Sequence, residues 1–122
     1  MKFEEFEENI TEWSNKRGLL DVGKIQDITG PINDELIKSK QLNKLMEEVG
    51  ELSEDFNKRD ADEEHMRHMI DSIGDTLVTL TTFAHQNGLS MEQCYDKAWS
   101  HIKNRKGKMI DGTFVKNDDI NG

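Results

Sequence analysis

The chain has 122 residues, a net charge of −9 and a hydrophobic fraction of 34%. This length suits a single domain with its own core. The acidic balance argues against non-specific nucleic-acid binding, and no apolar run approaches the ~18 residues of a membrane span.

The hydrophobic fraction stays low even when the 9 glycines are added, so a thin core completed by a partner subunit is expected. Cys94 is the only cysteine, which rules out an intrachain disulfide. The opening MKFEEFEEN is acidic and lacks the basic-then-apolar order of a signal peptide. The expectation is a soluble protein of a reducing compartment, hence cytoplasmic.

Phe3, Phe6, Ile10 and Trp13 recur at the spacing of one helix face and predict a first helix over about residues 3–17, with Trp13 as a core anchor. Lys16 and Arg17 suit its negative end, and Gly18 suits its C-cap. Residues 18–34 hold three glycines and the only proline and read as a loop, either a ligand cover or a plain connection. Asn33 or Asp34 can cap the next helix.

That second helix, about residues 35–58, carries Leu42, Leu45, Met46, Val49, Leu52 and Phe56 on one face. Lys44, Glu48, Glu51 and Asp55 form a stripe beside them. Same-sign charges at helical spacing repel, which water, salt or a divalent cation relieves. A solvated acidic face is the plain alternative. Gly50 interrupts the helix and predicts close approach of a backbone or ligand there. KRDADEE then breaks the pattern, with a cap at Asp60 or Asp62.

The third helix, about residues 63–87, has an apolar stripe of Met66, Met69, Ile70, Ile73, Leu77, Leu80 and Ala84. From Thr76 to Ala84 it bears no charge on any side, which predicts burial all round and hence a subunit interface. Asp71 and Asp75 lie one turn apart just before that neutral run. Aspartates entering a buried segment call for a hydrogen-bond partner or a metal. Asn87-Gly88 supplies the C-cap, with Leu89 packing beyond it.

Ser90 and Gln93 make a capping-box pattern for a fourth helix, whose apolar face is Met91, Cys94, Tyr95, Ala98, Trp99 and Ile102. Cys94 reads as a small core residue. Lys103, Arg105, Lys106 and Lys108 then invert the local charge, as helix-dipole complements or as a grip on phosphate oxygens. The tail beyond holds a Phe114-Val115 pair that docks before the end frays. His65 and His68 read as surface residues.

Acids on two facing helices can build an oxygen-only Mg²⁺ site, and a basic segment can hold the phosphates beside it. Here the chain also resembles a family. Glu47-Glu48-Val49-Gly50-Glu51 matches the E-E-x-x-E motif of the all-α nucleoside triphosphate pyrophosphohydrolases, the MazG-like superfamily. DSIGDTLVTL is similar to its second motif, E-x-x-D before an apolar run, and AWSHIKNRKGKMIDGTFVK looks like the C-terminal segment of small phage-type members. Ser72 stands where that register usually has glutamate.

The resemblance implies a four-to-five-helix bundle whose core is completed by oligomerisation, as a homodimer or homotetramer. It implies one MazG-like domain over residues 1–116, with residues 117–122 as a frayed tail. It implies Mg²⁺-dependent conversion of a (deoxy)nucleoside triphosphate to the monophosphate and pyrophosphate, with Mn²⁺ as a possible substitute. Glu48, Glu51 and Asp75 would hold the metal, and Glu47 would assist them or activate water. Asp71 is our substitute for the acid missing at Ser72. Lys44, Arg105, Lys106 and Lys108 are assigned to substrate phosphates from charge alone. The alternatives are a non-catalytic nucleotide-binding relative, or an acidic helical module for a basic protein partner.

Overall fold

A computed structural model of the protein describes residues 1–20, 26–27, 30–31, 34–58 and 63–121. The chain is all-α in class. Its described elements, in order, are α1 (Phe3–Lys16), β1 (Gln26–Asp27), β2 (Gly30–Pro31), α2 (Asp34–Asn57), α3 (Glu63–Gln86), α4 (Met91–Ile102), β3 (Gly107–Ile110), β4 (Thr113–Lys116) and α5 (Asn117–Asn121). β1 pairs antiparallel with β2, and β3 with β4. Most of the expected loop, and the expected caps at Asn33, Asp60 and Asp62, fall outside the described residues; so does the side chain of Asp34. Among the described residues, no helix is long and apolar enough to cross a membrane. The chain forms two compact units, Met1–Met91 and Glu92–Gly122.

In the first unit, α2 runs antiparallel along α3, and α1 crosses α3. Two helix ends close as the glycine positions predict. Gly18 and Gly88 take φ of 76° and 72°. The Leu19 N–H donates to the Ser14 carbonyl and the Gly18 N–H to the Asn15 carbonyl, and Leu89 and Gly88 repeat the pattern on Ala84 and His85. These are Schellman closures, which need a left-handed residue that glycine adopts without a Cβ clash.

The core is not where the apolar stripes place it. The fully buried side chains are Thr81, Thr82 and Ser14, while Trp13 is 42% exposed. Small residues occupy the crossing of α1 with α3, where the Ser14 hydroxyl and Thr82 hydroxyl hydrogen-bond at 2.8 Å. Thr79, Thr81 and Thr82 donate to the carbonyls of Asp75, Leu77 and Val78 one turn back, so their burial leaves no hydroxyl unpaired. Gln41 of α2 donates to the Thr79 carbonyl and Gln86 to the Leu19 carbonyl, tying three elements together. The Glu7 carboxylate accepts the Met91 N–H at 2.7 Å, at the first residue of α4. It thus places a negative charge at a helix N-terminus, the favourable end.

Within one chain the neutral run of α3 is part-covered: Thr79, Thr81, Thr82 and Ala84 are buried, while Thr76, Leu77, Val78, Leu80 and Phe83 are half-buried. The exposed apolar surface lies elsewhere: Met46, Val49 and Phe56 along α2, and Met66, Ile70 and Ile73 along the first half of α3.

Gly50 lacks the close backbone neighbour expected of it among the described residues of the chain. A Cβ built there meets nothing within 4 Å, so no described residue approaches it. A glycine inside a helix costs about 1 kcal/mol against alanine through backbone entropy. Gly50→Ala should thus stabilise the isolated protein by about 1 kcal/mol in urea unfolding. A destabilised variant would mean that a subunit or ligand needs the space.

In the second unit the basic segment is a hairpin, with Ile110 paired to Thr113 around the two-residue turn Asp111-Gly112. Both turn residues have positive φ, 50° and 81°, the type I′ geometry that Asp-Gly favours. Gly107 faces the Val115 backbone across the ladder so closely that a Cβ has no room. Residues 117–121, expected to fray, close as α5, with the Asn117 N–H donating to the Lys106 carbonyl. The apolar face expected of α4 is largely open: Cys94, Tyr95, Trp99 and Ile102 are exposed. The segment after Ile102 pairs with itself and with α5 rather than returning along α4.

Candidate functional site

The site grows out of the register between α2 and α3. Gln41, Lys44 and Glu48 follow one another at helical spacing on α2, and Asp75, Val78, Thr79 and Thr82 do so on α3. All seven line one cavity of about 660 Å³, which Asn9, Ile10 and Trp13 of α1 and Leu19 complete. Its lining combines the charged side chains Lys44, Glu48 and Asp75 with the apolar side chains Trp13, Ile10, Leu19 and Val78. Arg17 stacks on the Trp13 ring, 4.1 Å from its centroid.

Glu48 is the buried acid, with 7% of its surface exposed. Its Oε1 lies 3.3 Å from the Lys44 Nζ, and its Oε2 has no hydrogen-bond partner among the described residues. A buried carboxylate oxygen without a partner is costly. Lys44 also sits 3.5 Å from Glu47, whose side chain is mostly exposed and does not line the cavity. The two neighbouring carboxylates raise the Lys44 pKa, the Glu48 hydrogen bond being the first cause.

Glu51 is exposed but feels the same charges. The negative charge of Glu48 raises its pKa first, partial burial and a hydrogen bond with Glu48 add to this, Lys44 opposes, and Asp75 adds a smaller repulsion. Glu51 thus feels acids on both helices, Glu48 of α2 and Asp75 of α3.

Asp71 and Asp75 are both exposed, so the desolvation cost expected of them does not arise; Glu48 carries it instead. Ser72, by contrast, is buried, and its hydroxyl donates to the Asp55 carboxylate of α2. That hydrogen bond is the first cause of a lowered Asp55 pKa, with burial opposing and Lys58, 3.6 Å away, assisting.

Arg105 and Lys106 line a separate cavity of about 470 Å³ within the second unit, with His101, Asn104, Lys116, Asn117 and Asp118. Lys108 lies on β3 and is exposed.

Sequence reasoning missed Gln41, Asn9 and the Asp55–Ser72 pair as partners in this region. Gln41 lay one turn before Lys44 and was legible from that spacing. Asn9 carried no signal of its own.

The donors suit a hard cation: all are carboxylate oxygens, and one is buried without a partner. Among the described residues, no three His, Cys, Asp or Glu side chains converge into a preformed metal site.

The model of one family, the MazG nucleotide pyrophosphohydrolase domain, matches residues 38–110, more than half of the chain. No curated protein and no solved structure matches it.

Proposed function

The chain belongs to the MazG nucleotide pyrophosphohydrolase domain family, and from that premise we propose that it hydrolyses a (deoxy)nucleoside triphosphate to the monophosphate and pyrophosphate with Mg²⁺. The observation that supports this best is the single cavity that Glu48, Asp75 and Lys44 line together with Trp13. Acids and a cation suit a triphosphate; an aromatic and aliphatic wall suits a base.

In this reading Glu48, Glu51 and Asp75 hold the cation, which when bound neutralises phosphate charge and lowers the pKa of water. Glu48 Oε2 gains the partner that burial demands. Lys44 exchanges its contact with Glu48 for a phosphate oxygen of the leaving group. Glu47, beside Lys44 but outside the cavity lining, assists the metal-holding acids or receives the proton of the attacking water. The base lies against the free face of Trp13, with Gln41 and Asn9 as hydrogen-bonding groups near it. Arg105, Lys106 and Lys108 remain phosphate-binding proposals carried by charge. Assembly into dimers or tetramers, and a cytoplasmic location, belong to the same proposal.

The decisive experiment is pyrophosphate release from a panel of ribo- and deoxyribonucleoside triphosphates, with Mg²⁺ and with chelator, resolving monophosphate from diphosphate. Metal-dependent monophosphate plus pyrophosphate is expected. Absence of turnover from folded protein with every nucleotide would overturn the enzyme reading, and Mg²⁺-dependent binding without turnover would identify a nucleotide-binding relative. Trp13→Ala should raise KM about tenfold or more with little change in kcat, since base–aromatic stacking is worth about 1–3 kcal/mol. An unchanged KM would remove Trp13 from the base pocket.

A further inference from the structure

We propose that Asp55, oriented by Ser72, contributes a carboxylate from α2 to the cation site of Glu48, Glu51 and Asp75. This rests on the reading of that site as a metal centre. What it adds is the Asp55–Ser72 contact, which that reading does not use.

Asp55 lies one turn beyond Glu51 on the stripe that also holds Glu48, so α2 presents three acids in three successive turns. The α3 wall opposite runs antiparallel. Asp75 faces the Glu48 and Glu51 end, and Ser72, one turn earlier on α3, faces Asp55. The acid is not a free surface carboxylate: its side chain is only 14% exposed. The buried Ser72 hydroxyl donates to one of its oxygens, and Lys58 stands against the other at 3.6 Å. A serine donor of fixed position restricts the carboxylate to one orientation without adding charge. An acid at residue 72 would instead face Asp55 with like charge across a partly buried contact, which is costly. The pair therefore places one carboxylate between the two helices, carried by α2.

The sign that a cation belongs on this acidic wall is the one the metal reading already uses: Glu48 is nine-tenths buried, with Oε2 unpartnered among the described residues. Asp71, the other acid near residue 72, is exposed, and no described contact orients it toward α2. Asp55 is thus the better placed of the two, and Ser72 is its positioning residue.

Mn²⁺ binding to the full chain, followed by electron paramagnetic resonance and by calorimetry without nucleotide, tests this directly. Asp55→Asn should weaken Mn²⁺ binding about tenfold or more, within the range found when an oriented ligand shell is disturbed. Ser72→Ala, which keeps the acid and removes only its donor, should weaken it by a smaller factor. The exchanged pair Asp55→Asn with Ser72→Asp, which returns one carboxylate to the contact from the α3 side, should recover most of the loss. Asp55→Asn binding Mn²⁺ within twofold of the parent would overturn the inference while leaving the proposed hydrolysis intact. So would a tenfold loss in Asp71→Asn with none in Asp55→Asn. If Asp55→Asn loses its helical circular dichroism, Ser72→Ala decides, and an unchanged affinity there overturns the inference. A parent protein that neither binds Mn²⁺ nor turns over nucleotides would overturn this inference and the proposed function together.

Discussion

Glu48→Gln, Glu51→Gln and Asp75→Asn should each lower kcat/KM for nucleoside triphosphate hydrolysis by about two orders of magnitude or more, the usual scale for loss of a group that supports charge in the transition state. The helical circular dichroism signal should persist, because none of the three anchors the hydroxyl-lined core around Ser14, Thr81 and Thr82. The variants differ in the metal-free state. Glu48→Gln leaves Lys44 without its closest carboxylate, at 3.3 Å, and keeps a buried polar group, so its stability should fall. Glu51→Gln should melt higher than the parent in chelator at neutral pH.

The sign follows from linkage. Repulsion from Glu48 raises the Glu51 pKa in the folded state above its unfolded value. The folded state therefore gains from this group when it is protonated, below its ordinary unfolded value. That gain is lost as pH rises through the folded value, and at neutral pH the charged form opposes folding. A neutral amide removes the opposition. The same substitution then costs turnover and raises metal-free stability, which a purely structural acid does not do. Calorimetric melts of parent and variant in chelator, at pH 4 and pH 7, check it: the difference should be present at pH 7 and shrink at pH 4. A lower melting temperature for Glu51→Gln at pH 7, or turnover within a few-fold of the parent, would remove Glu51 from the site.

Ile70→Glu should convert the proposed dimer or tetramer into monomers. Ile70 is 66% exposed and Phe56 is 67% exposed in the single chain. They belong to two helical rows, Met46, Val49 and Phe56 on α2 and Met66, Ile70 and Ile73 on α3. Fully covering one such side chain is worth about 1.5–3 kcal/mol, so several together supply a driving force for association that isolated surface leucines do not. A carboxylate at residue 70 would have to be desolvated at that contact. Because Ile70 is already exposed within one chain, the substitution should leave the monomer fold intact by circular dichroism. Sedimentation velocity at micromolar concentration separates the outcomes. A parent that sediments as a monomer would overturn the proposed assembly, and an oligomeric Ile70→Glu would place the contact elsewhere.

The structure bears on each level of sequence reasoning differently. Helix spans and their glycine-closed ends were legible because they depend on neighbours within one turn: Gly18 and Gly88 needed only their own φ and the carbonyls just before them. The hairpin at Asp111-Gly112 was equally local, and its turn signature went unread beside the basic residues that precede it. Burial was the less legible property. Apolar spacing names a face but not what covers it, and on α1 and α3 the fully buried residues are Ser14, Thr81 and Thr82, whose hydroxyls find partners one turn back or across the crossing.

What the sequence determined by itself is the helical class, the acidic motif on α2, Asp75 on α3 and the family they mark, all carried by residue order and helical period. What only the tertiary structure decided is which acids face which partners. Antiparallel packing of α2 on α3 puts Glu48 in the cavity with Asp75, buries it beside Lys44, and sets Ser72 against Asp55. Residues seventeen apart, as Ser72 and Asp55 are, have no fixed relation along a chain. Their contact exists because α2 packs on α3 in the register that also sets Gln41 against the Thr79 carbonyl, and that register is a property of packing rather than of period.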